Sequence, residues 1–113
     1  MRNIALRVIF PACLFFSCMD EKSSVSETNP CSDVTYSGNV KPIIDLHCAI
    51  TGCHVHGFLP GDFTSYEGLY EQVQNGFFEL KVLDQKIMPP GDSLNESDLT
   101  VLQCWVDNGA QDN

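Results

Sequence analysis

The amino-acid sequence predicts a small all-α domain, and three observations carry that expectation. Val40, Ile43, Ile44 and Cys48 recur at i, i+3, i+4 and i+8, which places them on one apolar face of a helix. Leu99, Leu102 and Val106 repeat such a stripe near the end of the chain, with Trp105 beside it. No segment shows convincing strand alternation. A chain of 113 residues has room for one small domain, and no internal repeat divides it.

The N-terminus stands apart from that domain. Met1 to Arg7 carries two arginines and no acid, and Val8 to Phe16 is apolar except for Pro11 and Cys13. A basic stretch followed by a short apolar one is the pattern of a secretory signal, here residues 1–17. The apolar run is too short to span a hydrocarbon layer of ~30 Å. Leu14-Phe15-Phe16-Ser17-Cys18 resembles a bacterial lipoprotein box, with a small residue just before the cysteine. Cys18 is therefore the expected lipidation site and first residue of the mature chain, with plain cleavage near Ser17 or an uncleaved anchor as the alternatives. Residues 18–30 are polar and rich in Ser, Glu and Asp, the composition of a flexible tether. The expected place is the bacterial periplasm, on a membrane. Asp20 and Glu21 after the anchor resemble export signals of surface lipoproteins, which adds the outer membrane or cell surface.

The folded domain is expected over residues 31–113. Its first helix contains the Val40–Cys48 stripe, with Ser37 or Asn39 as cap and Pro42 in the first turn. Gly57 to Gly61 is a loop bounded by Gly and Pro. Thr64 to Gln74 reads as a second helix, capped by Thr64 or Ser65 and stopped by Gly76. Phe77 to Ile87 is ambiguous between a short helix around Leu80 and Leu83 and an irregular segment. Pro89 and Pro90 exclude a helix and hold Met88 extended. Ser93-Leu94-Asn95-Glu96 has capping-box spacing before the last helix, which Asn108-Gly109 ends.

The chemistry concentrates in Cys48-Ala49-Ile50-Thr51-Gly52-Cys53-His54. In the pattern C-x-x-C-H, two thiols add to the vinyl groups of haem and the following imidazole binds its iron. Here the thiols are four residues apart, so the extra residues must loop out, and Gly52 makes such a bulge feasible. On this reading Cys48 and Cys53 hold the cofactor and His54 is an iron ligand. A ligand for the other haem face is found by elimination. His47 and His56 lie too close to the motif to cross the ring, Met1 leaves with the signal and Met19 sits in the tether. Met88 remains, although a methionine filling the core is the plainer role. Trp105 and Phe58, Phe63, Phe77 and Phe78 either wall a cofactor or build the core. Tyr66 is either a partner for a haem propionate or an exposed loop residue.

Tyr36-Ser37, Val40-Lys41-Pro42-Ile43-Ile44, Cys48 to His54, Met88-Pro89-Pro90-Gly91 and Trp105-Val106-Asp107-Asn108-Gly109-Ala110 follow one another in this order. The series resembles the small monohaem c-type cytochrome domains of bacterial lipoproteins, including those common in Bacteroidetes and Planctomycetes, over roughly residues 34–110. The resemblance implies three to four helices around one covalent haem c, with His54 and Met88 as axial ligands. It implies electron transfer rather than catalysis. It also implies that the first and last helices meet, so that Cys104 could reach Cys31 and pair with it as a disulfide. Cys104 beside the tryptophan is a departure from the family pattern.

The charge and the remaining residues narrow the partners. The formal net charge is −9, and loss of Arg2 and Arg7 with the signal makes the mature chain more acidic still. Nucleic acid is an unsuitable partner for such a surface. A redox protein with a basic docking patch suits it, and a monomer with a lipid anchor is expected. Two other readings dispense with haem. Cys48, Cys53, His54 and His56 form a C-x4-C-H-x-H set for structural zinc. Alternatively, Cys48 and Cys53 close a disulfide in an interaction domain. An enzyme with a thiol nucleophile fits poorly, because no acid or oxyanion partner is evident.

Overall fold

The computed structural model describes residues 29–91 and 94–113. The signal at 1–17, the Cys18 anchor, the tether up to residue 28 and Ser93 lie outside the described residues. Within them the chain is helical, with no strand. Three α-helices form it: α1 (Lys41–His47), α2 (Tyr66–Gln74) and α3 (Glu96–Asp107). A π-helical turn, Tyr36–Val40, leads directly into α1, and a π-helical segment, Glu79–Asp84, lies between α2 and α3. None of these helices is long and apolar enough to cross a membrane.

Each helix start differs slightly from the expected one, for a local reason. The π-helical turn moves the first cap back to Thr35, whose extended backbone lets its side chain accept from Gly38 N–H at 3.1 Å. Asn39 does not cap the helix but reaches back, its Oδ1 accepting from Thr35 N–H at 2.8 Å. Pro42 sits in the first turn of α1, where its missing N–H costs nothing. Ser65, one of the two expected candidates, caps α2. Gly68 in the first turn of α2 is required by close approach: a Cβ there would collide with the Asp62 carbonyl. The cap of α3 is Asn95, which accepts from Asp98 N–H at 2.8 Å and donates back to the Asp98 carboxylate. The Ser93-x-x-Glu96 spacing is therefore not the box that closes this helix. The 77–87 region forms its π-helical segment around Phe78 and Val82, which are buried, while Leu80 is exposed.

The core is centred on Trp105, only 1% exposed, with Ile44, Leu69, Leu102 and Val40 fully buried around it. The Tyr36 ring lies 5.7 Å from the Trp105 ring, and the Phe78 ring meets it edge-on at 6.4 Å. The C-terminus then wraps back over this hub. Trp105 Nε1–H donates to the Gln111 carbonyl at 2.9 Å. Tyr36 N–H and Ser37 N–H donate to Asn113 at 2.7 and 2.9 Å. Gly109, with φ of 90°, permits the reversal that ends α3. A disulfide joins Cys31 to Cys104 across a sequence separation of 73 residues. Asn108 reinforces it, its side-chain amide donating to the Cys31 carbonyl at 2.8 Å.

Candidate functional site

α1 carries Cys48 to the edge of the core on its apolar face. Cys48 N–H still donates to Ile44 C=O at 2.9 Å, so the thiol starts from a helix end rather than from a loose loop. The chain then turns tightly: Cys53 N–H donates to Ile50 C=O at 2.9 Å, and His54 N–H returns to Cys48 C=O at 3.0 Å. Gly52 supplies the positive φ, 85°, that the turn needs. The two extra residues of the spacer are thus absorbed in a closed bulge, with Ile50 and Thr51 exposed. Cys48 and Cys53 are both free thiols. Burial, and secondarily the nearby Cys53, pushes the Cys48 thiol up to about 11.

His54 is held by a contact that selects its tautomer. Its Nδ1 lies 3.1 Å from the Gly61 carbonyl. A carbonyl only accepts, so Nδ1 carries the proton and Nε2 of the neutral ring keeps its lone pair. A backbone carbonyl on the far nitrogen is the usual second support of a metal-binding imidazole. Phe63 stacks on the ring at 4.0 Å with an interplanar angle of 2°, and Phe58 packs against it edge-on at 5.3 Å. The loop between these residues is anchored by Phe63 N–H donating to His54 C=O at 2.9 Å.

Two adjoining cavities open beside His54. The larger, about 440 Å³, is walled by Leu59, Phe77, Phe78 and Ile87, with Gln72, Asn75 and Lys81 as its polar members. The smaller, about 150 Å³, reaches Cys48, Cys53, Phe58, Pro89 and Pro90. His54, Phe63, Val82 and Met88 border both, which makes the pair one cleft. The motif residues Cys48, Cys53 and His54 and the distant Met88 therefore border the same space. Met88 is 40% exposed and does not fill the core. Its backbone is fixed by the π-helical segment, since Ile87 N–H and Met88 N–H both donate to Lys81 C=O, at 3.0 and 3.2 Å. The cleft exposes apolar surface: Leu59 is fully exposed, Phe77 56% and Ile87 49%.

Other candidates are placed elsewhere. Trp105 belongs to the core, and Tyr66 is occupied, its hydroxyl donating to the Ala110 carbonyl at 2.8 Å. His56 turns to solvent with its side chain 97% exposed, and its Nδ1 lies 3.1 Å from Asp62. The Thr64 hydroxyl and amide both donate to that carboxylate and hold it below its ordinary range. The C-x4-C-H-x-H set is thus not gathered, and no group of three His, Cys, Asp or Glu side chains suited to a metal occurs among the described residues. Cys48 and Cys53 are not bonded to each other.

Sequence reasoning did not single out the Gly61 carbonyl or Lys81, and it set His47 aside as a ligand. His47 is half-buried on the smaller cavity, 3.9 Å from Asp98 of α3. Haem fits the cleft on four grounds: a tautomer-fixed imidazole, two free thiols, an apolar cavity and a thioether on its border. No family model, curated protein or solved structure matches the chain.

Proposed function

We propose that this protein is a monohaem c-type cytochrome that transfers electrons and catalyses no substrate chemistry of its own. The observation that carries the reading is His54, whose Nδ1–H is committed to the Gly61 carbonyl while its ring borders an apolar cleft shared with Met88. Cys48 and Cys53 would form the thioethers, and His54 and Met88 would hold the iron. Bound there, haem iron supplies one-electron transfer between its ferric and ferrous states.

The chain's own residues prepare this. Gly61 keeps the imidazole in the tautomer that presents Nε2. Phe58 and Phe63 fix the ring plane. Lys81 C=O holds the backbone at Met88 in place. Leu59, Phe77 and Ile87 offer exposed apolar surface that a bound haem would cover, and a thioether ligand raises the potential relative to a second imidazole. The acidic surface suits encounter with a redox partner bearing a basic patch. A lipid on Cys18 would hold the carrier at a membrane facing the periplasm or outside the cell. The zinc reading is weaker because His56 faces solvent against Asp62. The stapled-domain reading is weaker because Cys48 and Cys53 are unbonded.

The test is maturation in a bacterial host that carries the cytochrome c assembly machinery. The Met88→Ala variant should keep covalent haem but lose the weak sulfur-to-iron charge-transfer band of the oxidised protein. An unchanged band removes Met88 as a ligand. A colourless wild-type protein removes the cytochrome reading.

A further inference from the structure

The haem-binding cleft contains one cation whose charge nothing yet described answers. Lys81 lies on the wall of the larger cavity, and none of the residues lining that cavity is acidic. Of the other lysines among the described residues, Lys41 pairs with Asp45 at 2.7 Å and Lys86 with Glu96 at 3.6 Å. Lys81 has no carboxylate within ion-pair distance among the described residues. The partner of its ammonium is the neutral Gln85 Oε1 at 3.4 Å, one turn along its own segment. The chain has fifteen acidic residues against six basic ones, so an ammonium left without an acid is unusual in it. The bond to Gln85 is exposed, so it does not commit the ammonium away from an anion entering the cavity.

We infer that Lys81 is the carboxylate-binding residue of the cleft and pairs with a haem propionate. The inference rests on the haem reading and adds to it a residue outside the C-x4-C-H motif and the Met88 ligand. A propionate entering an apolar cavity needs a charged partner or it resists ionisation. Gln72 of α2 and Asn75, the C-cap of that helix, also border the cavity and carry side-chain amides that can donate to the same group. The Lys81 carbonyl also anchors the Met88 amide, so cation and distal ligand are built on one piece of backbone.

A cation beside the cofactor favours the ferrous state, because reduction lowers the net charge at the iron. Loss of one such charge should change the ferric-to-ferrous ratio on the order of tenfold, the Coulomb scale of a partly screened site. For a one-electron couple, tenfold is ~59 mV.

The test is an equilibrium redox titration of the full-length matured protein and three variants. Lys81→Gln should keep its covalent haem and shift the ferric-to-ferrous ratio about tenfold toward ferric, lowering the potential. Lys81→Arg should restore the wild-type value to within about twofold, because it preserves the cation. Lys41→Gln removes the same charge from a lysine paired outside the cleft and should leave the potential unchanged. A red Lys81→Gln protein with the wild-type potential overturns the inference and leaves the haem reading intact. An equal shift in Lys41→Gln also overturns it, since net charge alone would then be responsible. A colourless wild-type protein overturns both.

Discussion

The two halves of this small domain are built on opposite terms. Around Trp105 everything is covered: Ile44, Leu69 and Leu102 are buried, the indole N–H has its carbonyl and the C-terminus closes over the helix start. A disulfide then ties α3 to the segment before the first helix. Around His54 and Met88 the chain leaves large apolar side chains uncovered, with Leu59 fully exposed and Phe77 more than half exposed. The first half is closed over its own core, and the second leaves an apolar cleft open beside His54 and Met88.

Substitutions in the two halves should therefore have unequal effects on stability. Trp105→Ala should cost about 3–5 kcal/mol in the matured protein, because it empties the centre of the closed half. Leu59→Ser in the open half should change stability by no more than about 0.5 kcal/mol. Urea unfolding of both variants reads the difference, and equal losses would erase the contrast.

Next in size is the disulfide. Replacing Cys31 and Cys104 together by alanine should destabilise the domain by about 4 kcal/mol on the chain-entropy account of a 73-residue separation. Covalent haem content should stay at the wild-type level, since neither cysteine borders the cleft. A loss of haem in a variant that still folds would show that the two halves are not independent.

A pH measurement sharpens the same comparison. Burial holds the Cys48 thiol up at about 11 against an ordinary 9.0, so folding favours its protonated form. That contribution to stability is complete below pH 9.0 and is lost as pH rises toward about 11. Haem-free protein should therefore weaken across this range. Haem-loaded protein, whose Cys48 is a thioether, should lack that component of the loss. Identical alkaline profiles for the two forms would show that the thiol is not the cause.

The smallest effect is at the cap of α3. Asn95→Ala should cost about 1 kcal/mol and leave the visible spectrum as it is. A comparable loss in Glu96→Ala would return the cap to the Ser93 box.

How much was legible in the sequence depended on whether the determining contact was local. The stripes of α1 and α3 were readable from their spacing, and Pro42 and Gly109 sit where their backbone requirements place them. Ser65 was among the caps expected for α2, while those of the first and last helices were misread by a few residues for identifiable reasons. A π-helical turn begins at Tyr36, which the apolar spacing from Val40 onward does not announce. The box spacing before α3 pointed to Ser93, and Asn95, two residues on, supplies the cap the chain uses. The all-helical class followed from these patterns. For the cleft, the motif order nominated Cys48, Cys53, His54 and Met88, and the fold sets all four around one space. The Gly61 carbonyl and Lys81 carry no local signature, because what makes them relevant is which neighbour the tertiary structure brings to them. Tyr66 was left open between two roles, and its bond to Ala110 comes from a chain end 44 residues away.

The most direct test of the account is the absorption spectrum of the matured protein, oxidised and reduced, followed by a pyridine haemochrome assay after acid-acetone extraction. The account predicts a sharp reduced α-band, haem that stays with the polypeptide, and the haemochrome of two thioether bonds. A one-thioether haemochrome would mean that the bulge at Gly52 brings only one of Cys48 and Cys53 to the cofactor. A colourless protein, or haem that leaves with the acetone, would contradict the account.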